Sequence, residues 1–319
     1  MSLNQKYFRK LKLLNETIWE KKVTKNKIDN WLSNFNPDEK NDALYLLTQF
    51  IYFNEFCVEK LLESLYRDLF KYNLISKIRL QNHDTLDPLF IDNEFRRLRS
   101  RSRFVSLGNP SESSAALMGI MRKVNDLPLG LFISEGDIAN IQDDIENFIF
   151  IDDLCGSGSQ AVTYSEESLP KIREKFPNAK IWYLMLVATK HGKSRISQHS
   201  DFDYVDSILE LDNSYKCFDI NSRVFTHKEK EIDIENIKKF CSSYGIKLMS
   251  SIIQKLQPEI SEEKLKHSAE SCKYGFADGQ LLLGFHHNTP DNTLPIIWYN
   301  ENFVEWHPIF KRSNKVYGI

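Results

Sequence analysis

The sequence predicts an α/β fold: a mainly parallel sheet flanked by helices, with a helical subdomain at the N-terminus. Three observations predict it. From about residue 77 onward, short apolar runs alternate with amphipathic stretches, as buried strands alternate with crossover helices in a parallel sheet. Two of these runs, residues 148–151 and 181–188, are apolar without a break, the pattern of strands covered on both faces. Residues 1 to about 75 instead carry apolar side chains at helical spacing. The expected division is therefore a helical cap over residues 1–76 and an α/β domain over 77–319.

In the cap, Asn36-Pro37-Asp38-Glu39 offers an N-cap, a proline at the first helical position and a glutamate at the third. Behind it, Leu44, Leu46, Leu47, Phe50, Ile51 and Phe53 continue with helical spacing. A second amphipathic run places Phe56, Leu61, Leu62, Leu65, Tyr66 and Leu69 on one side. In the α/β part, residues 104–107 read as a strand, and Gly108-Asn109-Pro110 turns into a helix from about Ser114 to Val124. Strands follow at 148–151, at 181–188 and around Ile208 and Leu209. Residues 234–244 read as a helix stopped by Gly245, and 280–285 as a late strand. There is no internal repeat and no low-complexity segment.

The 319 residues are 41% hydrophobic and 27% charged, too apolar for a disordered chain, and the 21 phenylalanines supply a large aromatic core. A formal net charge of −2 argues against a general nucleic-acid coat protein, so any such contact needs a local basic patch. The five cysteines are odd in number and form no CxxC pair, which reads as reduced thiols rather than a disulfide framework. No apolar stretch follows the basic residues near the N-terminus, and no run is long enough to span a membrane. A cytoplasmic protein with no membrane partner is expected.

The strongest local signal is Ile151-Asp152-Asp153-Leu154-Cys155-Gly156-Ser157-Gly158-Ser159-Gln160. An apolar strand ends in two carboxylates at the sheet edge where ligands collect. The small residues after them can fold tightly and turn backbone N–H groups and two hydroxyls toward one anion. A helix starting near Gln160 adds its positive end. Carboxylates beside such a nest are suited to gripping the hydroxyls of a ribose whose 5′-phosphate sits in it. A Walker B strand also ends in acids, but it requires an upstream GxxxxGK[ST]. The one Gly-Lys-Ser, at residues 192–194, lies downstream with Val187 at the first glycine position. A receiver phosphorylation site has no need of a glycine-serine loop, and a merely structural turn stays open.

This order of residues resembles the phosphoribosyl-pyrophosphate loop of type I phosphoribosyltransferases, and it implies a type I phosphoribosyltransferase-like fold for 77–319. On that pattern Asp152 and Asp153 match the ribose-binding acids, and Ser157, Gly158 and Ser159 match the phosphate turn. Gly156 and Gln160 stand where the family usually has hydroxyl residues. The resemblance implies an earlier pyrophosphate loop, for which Gly108, Ser111, Ser113 and Ser114 are candidates; helix capping by the two serines is the competing reading. It also makes Lys190, at the end of the 181–188 run, a candidate base-contacting or catalytic lysine, against an ordinary solvated one. Mg²⁺ would be bound through the substrate diphosphate. Pro170 is expected to split the following helix into a short one near 159–166 and a second capped by Ser168.

Arg97, Arg99, Arg101 and Arg103 alternate, with Arg96 beside them; in an extended chain they would align on one face able to meet phosphates or a nucleic-acid backbone, with a solvated edge or a subunit contact as the competing readings. His286-His287 has no carboxylate at ligand spacing, and no metal site is assigned to the chain itself. The C-terminal stretch 285–298, the segment Trp306-His307-Pro308-Ile309-Phe310-Lys311-Arg312 and the early Trp31-Leu32-Ser33-Asn34-Phe35 complete a second resemblance. The chain is similar over most of its length to phosphoribosyltransferase-like effectors of prokaryotic conflict systems, some encoded beside retron reverse transcriptases. That resemblance implies an enzyme acting at ribose C1′ of phosphoribosyl pyrophosphate or a nucleotide, as a toxic antiphage effector. Its restraining partner would be a reverse transcriptase with its RNA–DNA product, or another operon product. The alternatives are a non-catalytic nucleotide sensor and an interaction subunit docking a nucleic-acid or protein partner.

Overall fold

A computed structural model describes residues 3–106, 113–142, 144–226 and 232–312. Contacts group the chain into two compact units, one made of Met1–Glu55 with Asp212–Asn314, the other built on Phe56–Leu211. The first unit begins with α1 (Leu3–Thr17), α2 (Lys25–Leu32) and α3 (Lys40–Leu47), followed by β1 (Ile51–Phe53). Thr24 caps α2 by accepting from the Lys27 N–H at 3.2 Å. The expected helix start at Asn36 is a turn instead, in which the Glu39 carboxylate accepts from the Asn36 N–H at 3.0 Å. Nor does the helix continue through Phe53. Ile51, Tyr52 and Phe53 suit a strand, and a backbone partner is at hand: they pair in parallel with Leu283–Phe285.

The second unit holds α4 (Glu55–Ser64), a π-helical stretch at Leu65–Lys71, α5 (Tyr72–Gln81), α6 (Pro88–Ser100), β2 (Ser102–Ser106) and α7 (Ser113–Val124). Then come β3 (Phe132–Ile133), β4 (Asn147–Cys155), α8 (Ser159–Lys175), β5 (Lys180–Thr189), α9 (Lys190–His199) and β6 (Tyr204–Leu211). The five strands form one parallel sheet in the order β3-β2-β4-β5-β6. On one face Phe148, Phe150, Ile181, Tyr183 and Met185 bury against Val162, Leu169, Ile172 and Ile196 of α8 and α9. On the other, Phe70 packs edge-on against Phe104 and Trp182. A parallel sheet needs both faces covered, which is why residues 56–81 belong with the sheet and the units divide at 55/56 and 211/212 rather than at 76/77.

Two expectations fail inside this unit. Helix α8 is not split: it runs through Pro170 as one element. Proline's fixed φ fits a helix, and the bond it forfeits belongs to the carbonyl four residues back. Both Pro170 and Glu166 are exposed, so water can satisfy that carbonyl, while buried Leu169 and Ile172 hold the helix to the sheet. Ser168 does not start a second helix; its hydroxyl bonds Glu135 at 3.0 Å. The arginines do not form an extended face either. Arg96, Arg97 and Arg99 lie on α6, where Arg97 pairs with Glu94 and Glu146, and Arg96 with Asp92. Arg101 pairs with Asp144 and Glu146, Arg99 lies over the Phe95 ring, and Arg103 bonds the carbonyls of Ser100 and Ser102. Alternation in sequence does not align side chains once the backbone is helical.

The first unit closes with α10 (Ile234–Leu256), α11 (Glu262–Cys272), β7 (Leu283–Phe285) and α12 (Pro295–Trp298). Gly245 does not end α10, which passes through it. A Cβ there would stand 2.8 Å from the Lys273 carbonyl carbon, so glycine serves close approach of backbone rather than termination. The tryptophan-rich end is structural. Trp31 and Trp306 donate to the Ile296 carbonyl at 2.8 and 3.2 Å, Trp298 donates to that of Thr293 at 2.7 Å, and all three rings belong to the core of this unit. Among the described residues no helix is long and apolar enough to cross a membrane.

Candidate functional site

The sheet order locates a reversal point. From β2 the chain moves outward to β3, then returns to the other side of β2 to form β4, and continues outward through β5 and β6. Ligands of open parallel sheets collect at such a reversal, beyond the carboxyl ends of the two strands that flank it, here β2 and β4. The segment after β2 contains Gly108 and Ser111, which lie outside the described residues. Ser113 and Ser114 are the first two residues of α7. The segment after β4 is the Gly156–Gly158 turn, which opens α8.

Phe148, Ile149, Phe150 and Ile151 are fully buried in β4, which does not end at the two carboxylates as expected but runs through Asp152 and Asp153 to Cys155, still paired with β5 at Val187 and Ala188. Asp152 is half-buried and Asp153 is 4% exposed. Each anchors the backbone after it: Asp152 Oδ1 accepts from the Asp153 N–H at 2.9 Å, and Asp153 Oδ1 from the Leu154 N–H at 2.8 Å. Asp152 Oδ2 accepts from the Tyr183 hydroxyl on β5 at 2.7 Å. Burial, and then the Asp152 charge, hold the Tyr183 phenol well above its ordinary pKa, so it stays a donor. The same two causes push the Cys155 thiol up to about 12, which removes it as a nucleophile at neutral pH.

The turn that follows is shaped by two glycines from different elements. Gly158 has φ +75° and stands at the N-cap of α8, a conformation that disfavours any Cβ. A Cβ on it would also lie 2.7 Å from the Gly192 carbonyl oxygen, and one on Gly192 would lie 2.9 Å from Cys155 Sγ and collide with the Gly156 carbonyl. Thr189 rivets the two together. Its hydroxyl donates to the Gly156 carbonyl at 2.5 Å and accepts from the Gly192 N–H at 2.9 Å, capping α9. Ser157 Oγ accepts from the Ser159 N–H at 3.3 Å and donates to Ser159 Oγ at 3.1 Å, and Arg195 of α9 donates to Ser159 Oγ at 2.8 Å.

The result is a helix N-terminus whose first N–H groups, from Ser159, Gln160 and Ala161, have no intrahelical acceptor, with two carboxylates just upstream. Such an end attracts anions. Gln160 is exposed in the first turn, and Lys190 is exposed as the first residue of α9, at the carboxyl end of β5. Sequence reasoning missed Tyr183, Thr189, Gly192 and Arg195. Only Thr189 had a local signal, a hydroxyl residue at a strand end three positions before the N–H it caps. Among the described residues no three His, Cys, Asp or Glu side chains converge as a metal site.

A family model described as PRTase-CE matches residues 28–312 of the chain. No curated protein matches it. Among solved structures, it is similar to the Helicobacter pylori xanthine-guanine-hypoxanthine phosphoribosyltransferase at 13% identity, over 59% of this chain and 97% of that chain, with a TM-score of 0.27.

Proposed function

Because the chain belongs to the PRTase-CE family, we propose that it is a phosphoribosyltransferase-like enzyme acting at ribose C1′ of phosphoribosyl pyrophosphate or a nucleotide. The observation that carries this reading is the α8 N-terminus, opened by left-handed Gly158 beside Asp152 and Asp153 at the sheet's reversal point. The 5′-phosphate takes the N–H groups of the first turn and the hydroxyls of Ser157 and Ser159. Asp152 and Asp153 hold the ribose hydroxyls, and Lys190 meets the base or the departing group. Ser113 and Ser114, with Gly108 and Ser111, belong to the pyrophosphate side. Transfer passes through an oxocarbenium-like state, for which the protein chiefly positions groups and neutralises charge. Mg²⁺ would enter with the substrate diphosphate, where the nearby carboxylate oxygens of Asp152 and Asp153 would suit a hard cation, and it would supply charge neutralisation of the leaving group.

Gly156 and Gln160 replace hydroxyl donors, which favours a second reading, a sensor that binds the same ligand without turnover. Calorimetry with phosphoribosyl pyrophosphate tests binding in both readings. Mg²⁺-dependent turnover, or altered nucleotide pools in cells expressing the wild type but not Asp153→Asn, separates enzyme from sensor. A third reading, a docking subunit using the arginine segment, would require a partner to displace the surface ion pairs that Arg96, Arg97 and Arg101 make within the second unit.

In the cell we place this activity in the cytoplasm as a toxic effector of an antiphage system, held by a reverse transcriptase with its RNA–DNA product or another operon partner. The support is the likeness at both ends of the sequence and the need to restrain any enzyme that consumes free nucleotides. Expression alone should be toxic and co-expression with operon neighbours should relieve it. Harmless expression, with unchanged phage plating in the full operon, returns the protein to nucleotide salvage.

A further inference from the structure

We propose that Arg195 is a phosphate-binding residue of this site, reaching the 5′-phosphate from α9 and making the loop selective for a phosphate dianion. The inference rests on the phosphate-loop reading above. Its first support is hydrogen-bond accounting at Ser159. A serine hydroxyl has one proton to give and two lone pairs. Ser159 Oγ accepts from Arg195, which can only donate, and from Ser157. Its own proton is therefore left to donate, on the first turn of α8 where the Gln160 and Ala161 N–H groups also have no intrahelical acceptor.

The second support is charge. A phosphate dianion in this loop faces the carboxylates of Asp152 and Asp153, while a helix N-terminus supplies only about half a positive charge. A full cation is needed nearby. Lys193 on the same helix is already committed, to Asp206 at 2.7 Å and Glu210 at 3.1 Å. Arg195 is exposed and, among the described residues, pairs with no carboxylate; its one bond is to the neutral Ser159 hydroxyl. A small rotation transfers that guanidinium from Ser159 Oγ to phosphate oxygens, a geometry it matches in bidentate fashion. Interlocked Gly158 and Gly192 already join α8 to α9, so the arginine is not required for that junction.

Calorimetry of ribose 5-phosphate against wild type, Arg195→Gln, Arg195→Lys and Gly158→Val tests the assignment. Arg195→Gln should weaken binding about tenfold or more, the loss of one charge-assisted contact, with a near-wild-type melting temperature; Arg195→Lys should recover part of it. Wild-type affinity should rise from pH 5 to 7 as the phosphate loses its second proton near a pKa of about 6, and this rise should flatten in Arg195→Gln. Wild-type affinity and pH profile in Arg195→Gln, with binding lost in Gly158→Val, would overturn the role of Arg195 alone. Absence of ribose 5-phosphate binding in the wild type would overturn the phosphate-loop reading and this proposal together.

Discussion

Tyr183 of β5 gives its phenolic proton to Asp152 Oδ2 of β4 across 2.7 Å. Asp152 stands opposite Met185 and Phe150 opposite Tyr183 in the strand register, so the bond runs diagonally along one face of the sheet. It fixes one oxygen of a carboxylate whose other oxygen holds the next backbone N–H. A buried phenol thereby orients an acid near the carboxyl end of β4.

Tyr183→Phe should keep the fold at pH 7 and cost about 1.5–3 kcal/mol, the net worth of a hydrogen bond to a charged group. Turnover should fall roughly ten- to hundredfold as Asp152 loses its orientation. The pH sign follows from the raised phenol pKa. The folded state keeps its proton where the unfolded tyrosine loses it near pH 10, so this contribution is whole below about pH 10 and fades as pH rises above it. Denaturant melts at pH 7 and 10.5 should show a smaller alkaline loss in Tyr183→Phe. Equal losses in both proteins would mean the phenol is not strained toward its neutral form.

Asp152→Asn and Asp153→Asn each keep an oxygen able to accept the following backbone N–H. Melting temperatures should therefore stay near the wild type, while turnover drops about 100-fold or more. Unfolding of either variant would make that carboxylate a backbone anchor before anything else.

The reach of the sequence can be read from these same residues. The β4 strand, the Gly-Ser-Gly turn and the α8 N-terminus were legible as structure because they are contiguous in the chain. Tyr183, Thr189, Gly192 and Arg195 were not, since each acts on that loop from β5 or α9, and nothing in linear order says which atoms meet. The same holds for β1, whose partner β7 lies at the other end of the chain, and for Gly245, whose reason is the approach of Lys273. Pro170 misled for a different cause: a proline's cost depends on whether the orphaned carbonyl meets water, and exposure is set by the tertiary fold.

Thiol labelling should separate the cysteines by burial. Cys57 and Cys272 are partly exposed, whereas Cys155, Cys217 and Cys241 are buried, and burial raises the thiol pKa of each of these three. Native protein at pH 8 should therefore modify Cys57 and Cys272 first, the others following only on unfolding. Fast modification of Cys155 would show that the loop opens far more readily than its hydrogen bonds imply.

One substitution made at two glycines tests how the proposed phosphate loop is held. Gly119 lies within α7 with nothing inside 4 Å of an added Cβ, so Gly119→Ala should stabilise the protein by about 0.5–1 kcal/mol through helix propensity. Gly192 is also helical, in the first turn of α9, and propensity alone predicts the same gain. Packing predicts the opposite, because its Cβ would press on the Gly156 carbonyl and on Cys155 Sγ at 2.9 Å. That carbonyl cannot yield freely, being held by the Thr189 hydroxyl. Overpacking of this kind costs about 1–3 kcal/mol, so Gly192→Ala should destabilise and also weaken phosphate binding at a loop it does not itself line. Paired thermal melts and calorimetry with ribose 5-phosphate read both effects. If Gly192→Ala stabilises as Gly119→Ala does and leaves binding untouched, α9 does not brace the loop, and its shape must come from β4 and α8 alone.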